Sequence, residues 1–117
     1  MAQNHNITVD QGATFSLVVT WKNPNGTPID LTGYTARMQA RAKYDSPNPP
    51  LFSLTSTPAA GLVLGGVAGT VTITIDAATT AGLVPGQYVY DLEVVSSGGI
   101  VTRLIEGRCI VSPEVTK

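Results

Sequence analysis

Chemistry-bearing side chains are scarce in this chain. A single cysteine, Cys109, excludes an internal disulfide, and with it the oxidised framework on which small secreted domains rely. A single histidine, His5, leaves no second imidazole or paired thiol from which one chain could assemble a zinc site. Charged residues make up only 13% of the sequence, seven basic against eight acidic, scattered rather than blocked, for a net charge of −1. Such a charge distribution gathers neither phosphate backbones nor anionic lipid, so neither nucleic acid nor membrane is an expected partner. No window approaches the roughly eighteen apolar residues of a membrane span, and the opening MAQNHNITVD has no basic segment followed by an apolar run. The expectation is a soluble protein, made in a cytoplasm and stabilised by packing alone.

What the chain does have is apolar content, 43% over 117 residues, which is too much for a disordered polypeptide. Residues 1–117 fit one domain with one core and an expected radius of gyration of about 13 Å.

The longest regular pattern is Gln87 to Arg108, QYVYDLEVVSSGGIVTRLIEGR, read as two long strands joined by a Ser-Ser-Gly-Gly turn. A three-residue loop on Ser97, Gly98 and Gly99 sets Glu93 opposite Arg103 and Leu92 opposite Leu104, keeping one face apolar. A two-residue loop would set Leu92 against Arg103, a mismatch repeated at every pair.

The rest of the chain alternates in shorter runs. Asn6 to Val9 reads as an edge strand closed by a turn at Asp10-Gln11-Gly12. Thr14 to Trp21 places Phe15, Leu17, Val19 and Trp21 on one face and Thr14, Ser16, Val18 and Thr20 on the other. Asn25-Gly26 marks a turn. From Tyr34 to Lys43, Tyr34, Ala36, Met38, Ala40 and Ala42 face inward. The outward set, Thr35, Arg37, Gln39, Arg41 and Lys43, carries three cations, which are expected to pair with acids on a neighbouring strand.

Tyr44-Asp45-Ser46-Pro47-Asn48-Pro49-Pro50 holds three prolines, which exclude a central strand and give a stiff exposed loop, the candidate protein-contact loop. Leu51 to Thr55 is a brief strand and Ser56 to Gly61 a turn. Leu62 to Leu64 and Thr70 to Ile75 form a hairpin around a glycine-rich connection, with Val71, Ile73 and Ile75 inward. Asp76 caps one helical turn, Ala77 to Ala81, that ends near Gly82. Seven or eight short strands with one helical turn predict an all-β, immunoglobulin-like antiparallel sandwich, with a small closed barrel as the alternative.

A search for catalytic, cofactor or metal residues yields none. Cys109, among Arg108, Ile110 and Val111, reads as a small buried hydrophobe with no histidine near in sequence to activate it. Asp91, Glu93 and Glu106 would interest a glycosidase reading if they shared a face. The register above instead puts Glu106 on the opposite side from the other two, which leaves them as surface charges. Three of the four tyrosines, Tyr34, Tyr88 and Tyr90, fall at inward positions, so only Tyr44 is free.

Gly12, the strand from Phe15 to Trp21, the run Gly26-Thr27-Pro28-Ile29-Asp30-Leu31-Thr32-Gly33-Tyr34 and the run Val84-Pro85-Gly86-Gln87-Tyr88-Val89-Tyr90-Asp91-Leu92 together carry a resemblance. The chain resembles small virion structural proteins of tailed bacteriophages and prophages. Its IDLTGY and PGQYVYDLE stretches are similar in style to the N-terminal domain of baseplate upper proteins. The likeness covers nearly the whole chain through structural motifs. It implies a non-enzymatic virion protein, made in the bacterial host cytoplasm, that docks on the tail or baseplate in many symmetric copies and bridges larger virion proteins of tail, baseplate or head. Because the chain stops at Lys117, an adaptor, collar or decoration role is expected in place of receptor binding. Capsid decoration is the alternative within that class. A carbohydrate-binding module is the alternative outside it.

Overall fold

The computed structural model describes residues 3–57 and 60–116. Along the chain the strands are β1 (Gln3–Asn4), β2 (Ile7–Asp10), β3 (Phe15–Thr20), β4 (Thr35–Arg41), β5 (Phe52–Thr55), β6 (Leu62–Leu64), β7 (Thr70–Ile75), β8 (Gly86–Val95) and β9 (Val101–Ser112). One short helix, α1 (Ala77–Ala81), lies between β7 and β8. The strands make two sheets. In the larger, β5, β4, β8 and β9 are neighbours in that order, and β1 and β2 both pair with the far side of β9. In the smaller, β7 lies between β3 and β6. The fold is an all-β sandwich, as the strand pattern predicts.

Period-two alternation decides which side chains meet between the sheets. In β7, Val71, Ile73 and Ile75 are buried, while the threonines between them face outward. They meet Ala36, Met38 and Ala40 of β4, Tyr90, Leu92 and Val94 of β8, and Leu31 in one continuous core. Ala42, expected inward, is exposed because β4 ends at Arg41, where the chain turns into the proline loop.

The β8–β9 hairpin closes around Gly98 as expected. The Ser96 N–H donates to the Ile100 carbonyl (2.9 Å), Gly99 takes a φ of 89°, and Glu93 faces Arg103. One step further along, the register shifts, so Leu92 faces Ile105 and not Leu104. Leu104 and Ile105 are both buried although adjacent, which marks a bulge: one extra residue of β9 is absorbed without a partner.

Pairing at the amino terminus differs from the antiparallel expectation. β1 and β2 run parallel to β9, with Gln3 facing Ile105 and Ile7 facing Cys109. Between them the chain crosses Gly107. The His5 N–H donates to the Glu106 carbonyl (2.8 Å), and the Asn6 side-chain oxygen accepts from the Arg108 N–H (3.0 Å), standing in for a backbone carbonyl. A methyl group on Gly107 would lie 2.6 Å from the His5 carbonyl, so no other residue fits beneath this crossing.

Local signals for the helical turn hold. The Asp76 carboxylate accepts from the Thr79 N–H (2.8 Å), the expected cap. Thr80, fully buried, donates its hydroxyl to the Ala13 carbonyl (2.8 Å) and accepts from the Gly12 N–H (3.1 Å). The helix thereby fastens the turn between β2 and β3. The radius of gyration is 14.5 Å within extents of 43 × 28 × 28 Å, longer than a sphere of this length, because the twelve-residue β9 spans the long axis. Of the turn expected at Ser56 to Gly61, Pro58 and Ala59 lie outside the described residues.

Candidate protein-contact surfaces

The outer face of the six-stranded sheet gathers much of the charge. Cross-strand register lines up Arg37, Glu93 and Arg103 in one row and Gln39, Asp91 and Glu106 in the next. Arg37 Nε lies 2.8 Å from Glu93 Oε1, so one cation of β4 meets an acid on the neighbouring strand, as expected. Arg103 stands among three carboxylates, 3.4 Å from Asp91, 3.2 Å from Glu106 and 4.0 Å from Glu93.

Glu106 therefore shares a face with Asp91 and Glu93, which corrects the expectation that it points the other way. The bulge is the cause, since one inserted residue inverts every side chain that follows it. The gathered acids are nonetheless occupied. A guanidinium stands between the carboxylates, and hydrogen bonding by Glu106, followed by the charge of Asp91, raises the pKa of Arg103. Partial burial, and then the charge of Glu93, raise the pKa of Asp91 from its ordinary value, outweighing the pull of Arg103.

The proline loop joins this face at one end. Arg41 Nη1 donates to the Asn48 carbonyl (3.1 Å), and the Leu51 N–H returns to the Ala40 carbonyl (2.7 Å), so both ends of the loop are tied to β4. Within it, the Ser46 N–H donates to the Lys43 carbonyl (3.1 Å) and Ser46 Oγ accepts from the Asn48 N–H (3.3 Å). Asp45, Pro47, Asn48 and Pro49 are exposed, Ser46 and Pro50 are half-buried, and Tyr44 is 89% exposed. Tyr44 borders an open depression of about 790 Å³, where it lies with Gln39, Arg41, Asn4, Asn6 and Arg108. Nothing in the sequence reading brought Asn4 and Asn6 to this place, because their position depends on parallel pairing with β9.

The three-stranded sheet presents the opposite character. β3, β6 and β7 contain no charged residue, and their outward side chains are serine, threonine and valine. Val18 faces Thr72, which faces Val63, so one row crosses the sheet with its two valines 55% and 63% exposed. The alternation of β3 put Val18 outward in the sequence reading, but Val63 joins it only through the pairing with β7.

The remaining candidate groups are built into the core. Burial pushes the Cys109 thiol up to about 11, far from the thiolate a nucleophile needs. Burial, and then the neighbouring Cys109, push Tyr90 up to about 12, and its hydroxyl donates to the His5 carbonyl. Tyr88 donates to the Val84 carbonyl (2.7 Å), and Tyr34 packs edge-on against Trp21 with ring centres 6.3 Å apart. Among the described residues, no three His, Cys, Asp or Glu side chains are placed to hold a metal ion, and no helix is long and apolar enough to cross a membrane. No protein-family model matches the chain, and no curated protein matches it significantly.

Proposed function

We propose that this chain is a non-enzymatic structural protein of a tailed-bacteriophage virion, an adaptor that docks on the tail or baseplate and bridges larger virion proteins. The assignment to a phage particle rests on the sequence resemblance. Support for an assembly role comes from one observation, the division of the surface. One sheet shows a charge-free face of Ser, Thr and two exposed valines, while a stiff proline loop tied down at Arg41 projects from the other. Faces of small uncharged side chains are desolvated at little cost, and a loop already ordered loses little entropy on contact.

Mass spectrometry of purified particles tests the reading directly: the protein is expected as a stoichiometric component, and particles lacking it would overturn the proposal. Its copy number then separates tail or baseplate attachment from capsid decoration. Deletion of Pro47 to Pro50 is expected to impair incorporation while leaving the isolated domain folded, and unchanged incorporation would remove that loop from the contact.

A carbohydrate-binding module is the second reading, favoured by the exposed Tyr44 beside Gln39 and Arg41 in an open depression. Glycan-array binding that disappears in Tyr44→Ala would move the assignment there.

A further inference from the structure

The edge strand β3 has hydrogen-bonding groups with no strand beside them. The Trp21 N–H donates to the Gly69 carbonyl (2.8 Å), and the Trp21 carbonyl accepts from the Ile29 N–H (2.9 Å), so the backbone of Trp21 points to the β7 side. Alternation along an antiparallel strand then turns Val19, Leu17 and Phe15 toward β7 and aims the N–H and C=O groups of Ser16, Val18 and Thr20 away from it. Among the described residues β3 pairs with β7 alone. The strand also has no lysine, no proline and no bulge between Phe15 and Thr20 to discourage pairing. Its core-facing side chains, Phe15, Leu17 and Val19, are only partly buried, while their partners Ile75, Ile73 and Val71 on β7 are fully buried. The sandwich is thus open along β3 in two ways, in unmet backbone groups and in half-covered apolar side chains.

We propose that β3 pairs antiparallel with β3 of a second copy of this chain about a two-fold axis at Val18, joining two three-stranded sheets into one of six strands. The strand complements itself. With Val18 opposite Val18 of the partner copy and Ser16 opposite Thr20, each outward N–H meets an outward C=O, and all three outward residues of each strand are used. Side chains match as well, since Val18 meets Val18 on the outer face and Leu17 meets Val19 on the inner one. A two-fold axis at Leu17 would set Val18 against Ser16 instead. No like charges meet, because the strand carries none. The outer face then bears one unbroken row of Val63, Thr72 and Val18 from each copy.

Sedimentation equilibrium of the purified chain over a wide concentration range tests this independently of any virion role. A monomer–dimer equilibrium is expected. Val18→Lys and Val18→Glu should each weaken dimerisation at least tenfold, by placing like charges face to face. An equimolar mixture of the two should restore it, because residue 18 meets itself. Val18 is exposed, so both variants should keep the wild-type circular dichroism spectrum, which serves as the folding control. Val18→Cys should cross-link under mild oxidation, whereas Ser16→Cys alone should not, since Ser16 faces Thr20. A chain that stays monomeric at every concentration, dimers indifferent to both charge variants, or cross-linking through Ser16→Cys would each overturn the proposal, as would an edge occupied only by the strand of a different protein.

Discussion

The two sheets bury similar side chains and expose opposite ones. On the six-stranded sheet, Arg37, Asp91, Glu93, Arg103 and Glu106 form ion pairs across three strands. On the three-stranded sheet the same alternation exposes threonines, Ser16, Val18 and Val63, with no charge on any strand. A face covered by paired charges is kept in water by the cost of desolvating them, whereas an uncharged one resists burial far less. The difference teaches that inward patterning makes the fold and outward patterning decides which side remains available to partners.

The comparison can be broken most severely from inside. Ile73→Ala, at the fully buried centre of β7, should cost about 2–5 kcal/mol in chemical denaturation, while Val18→Ala on the outer face of the adjacent strand should change stability by no more than about 0.5 kcal/mol. Similar losses at both sites would mean that the outer valine row is covered.

Alkaline titration sharpens the contrast, because Cys109 and Tyr90 both belong to the six-stranded sheet. Each holds its proton longer in the folded protein than in the unfolded chain, Cys109 to about 11 against 9.0 and Tyr90 to about 12 against 10.0. The stability they contribute is complete below pH 9 and is lost as the pH rises through their folded values. For Cys109 the loss is on the order of 2 kcal/mol, and in Cys109→Ala, whatever its baseline, the unfolding free energy should fall less steeply above pH 9.

Thr80→Val separates the fastening of β3 from its packing. It should cost about 1–2 kcal/mol, because the Gly12 N–H and the Ala13 carbonyl lose their partner. A change near zero would show that water replaces the hydroxyl.

Charge substitutions should have the smallest effect. Arg103→Ala should cost about 1 kcal/mol at neutral pH and low salt, diminishing in about 1 M salt, since it leaves three acids unscreened on a largely exposed face. Asp91→Asn should gain no more than about 0.5 kcal/mol at neutral pH, because burial and the neighbouring acids make the charged carboxylate somewhat costlier in the folded protein. A larger loss in Asp91→Asn than in Arg103→Ala would invert this account of the charged face.

Much of the fold was legible because its signals are local. Asp76 as a cap, Gly99 at positive φ, the Asn25-Gly26 turn and the alternation of β3, β4 and β7 each depend on residues a few positions apart. The bulge in β9 was also written in the sequence, though not in the hairpin rule applied to it. Leu104-Ile105 places two apolar residues between Arg103 and Glu106, and an unbroken alternation would have turned Glu106, Arg108 and the hydrogen-bonded side of the strand the wrong way. The candidate loop from Tyr44 to Pro50 was legible from its prolines. Its position beside Asn4, Asn6 and Arg108 was not.

By itself, then, the sequence determined most of the strands, the inward faces of β3, β4 and β7 and the turn of the β8–β9 hairpin, since those follow from side-chain period and backbone sterics within short windows. Only the tertiary structure decided that β1 and β2 run parallel to β9 and that Val18 and Val63 share one row beside an unpaired edge. Those outcomes depend on which strands become neighbours, a choice made by the burial of the whole apolar set at once and by no local stretch of chain.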